Sequence, residues 1–170
     1  MKVTLISHTQ DAEILLLFTK ATRLTMSPGL LDEIRNKTPE QKLAELEYMA
    51  NTIPSSWEFV DYVFLVEGVS RAYTHQQVRT RAASYAQQTM RVLNMNEFDY
   101  VYTDKNKSNP KAMEIINRCL DEIKSAYGAL IEEGQPAEDA RGILPTNIST
   151  NIVCKFNLRT FVDLAKARTG

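Results

Sequence analysis

A chain of 170 residues needs no disulfide or metal staple, since a domain of this size buries roughly 70% of the surface its unfolded chain exposes. Its hydrophobic fraction of 44% argues against disorder, and 20 basic against 21 acidic side chains, net −1, give a polyanion-binding role no bulk support. No apolar run approaches the ~20 residues of a membrane span, the opening MKVTLISHTQ lacks a basic-then-apolar signal pattern, and Cys119 and Cys154 belong to no paired motif. A single domain over residues 1–170, in the reducing cytoplasm, is the expectation.

In chain order, Val3, Leu5 and His8 alternate with polar residues as in a short strand, and Asp11 precedes an apolar-rich helix to about Thr22, broken by Ser27-Pro28-Gly29. Thr38-Pro39-Glu40-Gln41 has capping-box spacing with Pro at the first helical position, and Leu43, Leu46 and Met49 follow at helical spacing to about Asn51. Glu58 to Val69 is rich in β-branched and aromatic residues and predicts a well-buried strand; Ser70 then caps a helix through Arg79. Arg81 to Asn96 shows no clean period and reads as an irregular active-site segment or a solvated loop.

Asn109-Pro110 opens the best helix, with Met113, Ile116, Leu120, Ile123, Tyr127 and Leu130 stepping by three and four, and Gly134 as its stop. Ala137 to Arg141 is a short helix, Val153 to Phe156 is extended, and Leu158 to Arg168 is a last helix. Together these predict an α+β fold, an antiparallel or mixed sheet covered by helices.

Functional groups are densest at Arg71, His75, Gln76, Arg79, Arg81, Gln87, Gln88 and Arg91. On a helix Gln76 and Arg79 share a face, with His75 four before Arg79, and Arg79 and Arg81 flank the helix end, where their planar forks suit a phosphate. A solvated basic face is the other reading. Two histidines, His8 and His75, without a nearby Cys give no zinc site, and neither a Gly-rich phosphate loop nor a G-x-S-x-G elbow is present. Cys119 falls among helix core positions and Cys154 has no neighbour that would lower its pKa, so neither reads as a nucleophile. Glu138 and Asp139 stand at a helix start, where the dipole favours acids.

The run from Glu67 to Arg91 resembles the signature of flavin-dependent thymidylate synthases: Arg79-Thr80-Arg81, seven residues, then Thr89 and Arg91, against Arg-His-Arg, seven residues, Ser and Arg. Leu5 to Thr9 with Ala21 to Leu24, Gly134 to Pro145 and Asn157 to Phe161 are similar to further family segments in the same order. The resemblance implies a homotetramer built around FAD with sites shared between subunits. It also implies conversion of dUMP to dTMP with methylene-tetrahydrofolate as one-carbon donor and NADPH as reductant, without a cysteine nucleophile; the histidine count, net charge and hydropathy above give the expectation of no metal and no nucleic-acid or membrane partner.

Carried over by position, Ser55, Arg79, Thr80, Arg81, Gln87, Asn157, Arg159 and Asp163 fall on flavin positions. Gln76, Arg79, Gln87, Thr89, Arg91, Arg141 and Arg168 fall on dUMP positions. Arg168 aligns with the arginine that polarises the uracil, where a guanidinium stabilises charge developing at N3/O2 and makes C5 more nucleophilic; a last-turn helix cation is its alternative role.

The departures are Thr80 for the motif histidine, Thr52-Ile53 and Glu58-Phe59 for a Gly-His and Glu-His pair, Gln87 for an acid, Asp163 for Asn or His, and Val92 for Tyr. The sequence also ends at Gly170, ahead of the Gln- and Glu-bearing helices that close the family pattern. A pyrimidine-nucleotide hydroxymethylase on the same scaffold and a non-catalytic flavin- or nucleotide-binding relative are the alternatives.

Overall fold

In the computed structural model of the chain, residues 1–91 and 95–169 are described; Val92 and Gly170 lie outside them. Four strands pair in the order β1-β2-β4-β3, with β1 at Lys2–His8, β2 at Asp61–Ser70, β3 at Ala83–Gln87 and β4 at Ser149–Asn157. The amide of Arg71, just past β2, bonds Ile148 just before β4 (3.1 Å), and the amide of Leu158, just past β4, bonds Val60 just before β2 (2.7 Å), so these strands run antiparallel. The α+β expectation holds.

The helices are α1 (Ala12–Ala21), α2 (Leu30–Arg35), α3 (Pro39–Thr52), α4 (Arg71–Gln77), α5 (Asp104–Lys107), α6 (Pro110–Glu132), α7 (Ala137–Ala140) and α8 (Leu158–Thr169), with 3-10 turns at Pro54–Phe59 and Arg141–Ile143. Among the described residues no helix is long and apolar enough to cross a membrane. The chain divides into two compact units: the first comprises Met1–Val3, Val66–Arg79 and Ala86–Ile152, the second Thr4–Leu65, Thr80–Tyr85 and Val153–Gly170.

In the second unit Leu17, Leu30, Ile34 and Met49 from α1, α2 and α3 close a core. The capping box forms as expected, Thr38 Oγ1 accepting from the Gln41 amide and Gln41 Oε1 from that of Thr38. Asp11 stands at the N-cap of α1 in a left-handed conformation, φ 49°, with no side-chain capping bond. Leu43 of α3 is exposed, whereas Leu46 and Met49 turn to the core. Helix α8 docks through Phe161, 5.3 Å from the Phe64 ring, and Asn157 Oδ1 caps it by accepting from the Thr160 amide at 2.8 Å.

In the first unit α6 packs Ile116, Leu120 and Ile123 against Phe98 and Ile148. Asn109 Oδ1 caps its start by accepting from the Ala112 amide. Its end is a Schellman closure: Gln135 N bonds Leu130 O and Gly134 N bonds Ile131 O, with Gly134 at φ 81°.

Several boundaries differ from expectation for local reasons. Pro54 starts a 3-10 turn that takes up Glu58 and Phe59, so β2 begins at Asp61. Helix α4 ends at Gln77, because Arg79 N bonds Gln76 O three residues back and tightens the turn. The stretch expected to be irregular contains β3. Strand β4 starts four residues earlier than expected, at Ser149. Arg141 enters a 3-10 turn rather than ending α7. Cys119 is exposed on α6, a correction to its core placement, since the helix turns Leu120 and Tyr127 inward. Cys154 is buried on β4, and burial raises its thiol pKa.

Candidate functional site

The first unit gathers three guanidinium groups at the start of α4, the segment after β3 and the turn after α7. Ser70 caps α4 by accepting from the Tyr73 amide at 3.1 Å, which sets Arg71 on its first turn. The Arg71 guanidinium donates to the Gln88 carbonyl. Arg91 grips Glu138 with both sides of its fork, Nε to Oε1 at 2.9 Å and a terminal nitrogen to Oε2 at 3.2 Å. Arg141 reaches the same carboxylate at 3.7 Å and donates from Nε to the Glu138 carbonyl at 3.0 Å.

The proximity of these cations is felt at Arg71, whose pKa falls from its ordinary value through burial first and then the charge of Arg141. It remains a cation at neutral pH, because an arginine stays protonated throughout the working range. Arg91 and Arg141 share one carboxylate and Arg71 feels the charge of Arg141, so three guanidinium groups with one acid leave two positive charges unbalanced. A phosphate monoester dianion supplies two negative ones, and planar forks hold such an anion through paired hydrogen bonds.

The same unit holds a half-buried amide. Gln87, on β3, donates from Nε2 to Thr74 Oγ1 at 3.0 Å and to Thr150 Oγ1 at 3.2 Å. Gln76 and Arg79 are exposed at the end of α4, and their side chains make no hydrogen bond or ion pair among the described residues. Thr89 turns its hydroxyl to the Arg91 amide, 3.1 Å away, which shapes the backbone that presents Arg91.

The second unit carries the other expected residues. Ser55 Oγ, exposed, accepts from Arg23 at 3.0 Å, and the same guanidinium reaches Ser56 Oγ at 3.3 Å. Arg159, on the first turn of α8, pairs with Glu58 at 2.6 Å. Because Asn157 Oδ1 is used in capping α8, its NH2 group is the end left to donate outward. Thr80 offers its carbonyl to the Tyr85 hydroxyl at 3.0 Å, while Arg81, Asp163 and Arg168 are exposed, with no ion pair to a described residue.

Thus Arg91 and Arg141 come together with Arg71, while Ser55 meets Arg23 and Arg159 meets Glu58. Sequence reasoning did not assign Arg23, Thr74, Thr150 or Glu138 to the site. Thr150 stands beside Gln87 only because β3 and β4 are neighbours. The Ala-Thr-Arg run holding Arg23 and the acid-rich turn holding Glu138 were the available signals.

The family described as "Thymidylate synthase complementing protein" matches residues 4–170. A flavin-dependent thymidylate synthase of Geobacter sulfurreducens is 32% identical over 166 residues, covering 95% of this chain and 71% of the relative. One from Sulfurisphaera tokodaii is 32% identical over 171 residues, 99% of this chain and 65% of the relative. One from Clostridium tetani is 28% identical over 186 residues, 99% of this chain and 74% of the relative. The chain therefore spans between 65% and 74% of the length of these relatives.

Proposed function

The chain belongs to the thymidylate synthase complementing protein family, the family of the flavin-dependent thymidylate synthases it matches, and we propose that it methylates dUMP reductively to dTMP. The one-carbon unit comes from methylene-tetrahydrofolate and the reducing equivalents from NADPH. The observation that carries the reading is the trio Arg71, Arg91 and Arg141, of which Arg91 and Arg141 share the acid Glu138 and Arg71 feels the charge of Arg141.

These arginines grip the phosphate, Glu138 holds two of them in place, and Arg79 and Gln76 supply further donors to the nucleotide. Glu138 also limits the net charge of the seat to that of a monophosphate. Arg168 is carried over by position as the uracil-polarising residue, a role in which its cation stabilises the negative charge that develops at N3/O2 as C5 becomes nucleophilic. Cys154 takes no part, since its thiol is buried and its pKa raised.

The donors of the second unit fit a flavin dinucleotide, whose phosphates and ring carbonyls are acceptors. Arg81 is an exposed cation without a described acidic partner, Ser55 carries a hydroxyl, and Asn157 presents its NH2 group. Arg159, Thr80, Asp163 and Gln87 complete the flavin set carried over by position. When bound, FAD supplies the hydride that reduces the transferred carbon.

The test is product analysis by mass after incubation with dUMP, methylene-tetrahydrofolate, FAD and NADPH. Formation of dTMP is expected. A product one oxygen heavier would replace methylation by hydroxymethylation, and retained dUMP with flavin bound would mark a binding protein.

A further inference from the structure

The carboxamide of Gln87 has its two ends told apart by its partners. A glutamine amide normally admits two orientations related by a half-turn, and only the hydrogen bonds it meets decide between them. Thr74, with 0% of its surface exposed, has its Oγ1 3.0 Å from the carbonyl oxygen of Arg71. That oxygen can only accept, so the single hydroxyl proton of Thr74 is directed there. What Oγ1 turns to Gln87 is a lone pair, and the group facing it at 3.0 Å must be the NH2.

Thr150, 4% exposed, repeats the arrangement from β4, its hydroxyl facing the Asn151 carbonyl at 3.4 Å and accepting the other Nε2 hydrogen at 3.2 Å. Both hydrogens of the amide are thereby used. The carbonyl oxygen, Oε1, accepts no hydrogen bond from a described residue. It is not sealed in either, because no buried side-chain nitrogen or oxygen among the described residues lacks a partner.

We infer that Thr74 and Thr150 are positioning residues of the nucleotide site, holding the Gln87 amide with Oε1 outward so that this position accepts a hydrogen bond from a ligand O–H or N–H. The inference rests on the reading of Gln87 as a ligand contact. A deoxyuridine nucleotide offers two suitable donors, the 3′-hydroxyl of the sugar and the imide N3–H of the base. A neutral amide also leaves the surplus positive charge of the three arginines undiminished for the phosphate, which a carboxylate at this position would offset.

The experiment has two readouts on the full chain. The first is the 15N–1H spectrum of the side-chain amides, with the Gln87 pair assigned by its loss in Gln87→Ala. Two well-separated proton shifts, slow to exchange, are expected in the unsubstituted protein. They should collapse to the free-amide position in Thr150→Val and Thr74→Val and return in Thr150→Ser and Thr74→Ser.

The second readout is the dUMP dissociation constant, expected to rise about five- to tenfold in each valine variant, the worth of one neutral hydrogen bond, and to recover with serine. Valine variants that stay folded and bind dUMP within twofold of the parent would overturn the inference. So would serine variants that fail to recover, since the methyl rather than the hydroxyl would then matter. If the unsubstituted protein binds no dUMP, the functional reading fails, and the amide signals alone decide the clamp: free-amide shifts in the parent overturn it, and shifts that follow the hydroxyl sustain it.

Discussion

Glu138 is the only acid that Arg91 and Arg141 share among the described residues, and its carboxylate decides how much positive charge the cluster shows a ligand. Arg141 commits its Nε to the Glu138 carbonyl, which leaves its terminal nitrogens as the forward donors. Arg141→Ala should therefore weaken dUMP binding about ten- to hundredfold, the range of one charge-assisted hydrogen bond, and leave binding of deoxyuridine, which has no phosphate, unchanged. Titration calorimetry with both ligands checks this; equal losses for the two would place Arg141 away from the phosphate. Arg168→Ala belongs to a different step. It should bind dUMP near normally yet lose exchange of the C5 proton into solvent, read by NMR, because its charge is needed as electrons move onto the base. The arginines themselves were legible in the sequence as a run of guanidinium-bearing residues. Their shared acid was not, because Glu138 stands 47 positions from Arg91, and an acid at a helix start has a sufficient local explanation in the dipole. Gln87 was legible as a member of that polar run and, through the resemblance, as a ligand contact, but its partner Thr150 was not, since nothing in the linear order places the two side by side.

Helices α1 and α3 are tied by one carboxylate between two lysines. Glu45 accepts from Lys37 at 2.5 Å and from Lys20 at 3.1 Å, and Lys20 also lies 5.0 Å over the Tyr48 ring. The hydrogen bond from Lys37 lowers the Glu45 pKa from its ordinary 4.5 against an opposing push from burial, with Lys20 adding to the lowering. The folded pKa is thus below the unfolded one, so the stabilisation is complete above the unfolded value and is lost as pH falls through the folded value. Glu45→Gln should melt lower than the parent at neutral pH, and the gap should narrow as the pH drops below 4.5. A gap that stays constant with pH would assign the effect to packing. Elements of this kind were readable where local signals agreed: the Thr38–Gln41 box starts α3, and Gly134 ends α6. They were unreadable where a short element carried mixed signals. Strand β3 alternates correctly through Ala83, Tyr85 and Gln87, but a polar residue on the inward face hides the period that marks a strand. Helix α2 has only six residues, too few for a helical period to show.

At the scale of the whole molecule, strand β1 stands at the sheet edge with every residue exposed, including Val3, Leu5 and Ile6 at 55%, 49% and 54%. Leu24 and Met26 are also open to solvent at 79% and 81%. A seven-residue edge bearing apolar side chains on both faces is a ready template for another chain. Its unpaired amides and carbonyls add main-chain hydrogen bonds to whatever apolar area is covered. Assembly with shared sites, which the family resemblance implies, would give that edge an occupant in further copies of this chain. Arg79, Arg81 and Arg168 are exposed on the single chain, and neighbouring subunits would enclose such residues around their ligands. Light scattering behind size exclusion should give about four times the 19.3 kDa of one chain, and the protein should keep FAD through the column. Leu5→Lys with Ile6→Lys places two charges on opposite faces of the edge and should reduce the mass and the retained flavin together. A parent that runs as one chain while holding FAD and shifting its absorbance with dUMP would show that a single subunit completes the site, and the exposed edge would then need another partner.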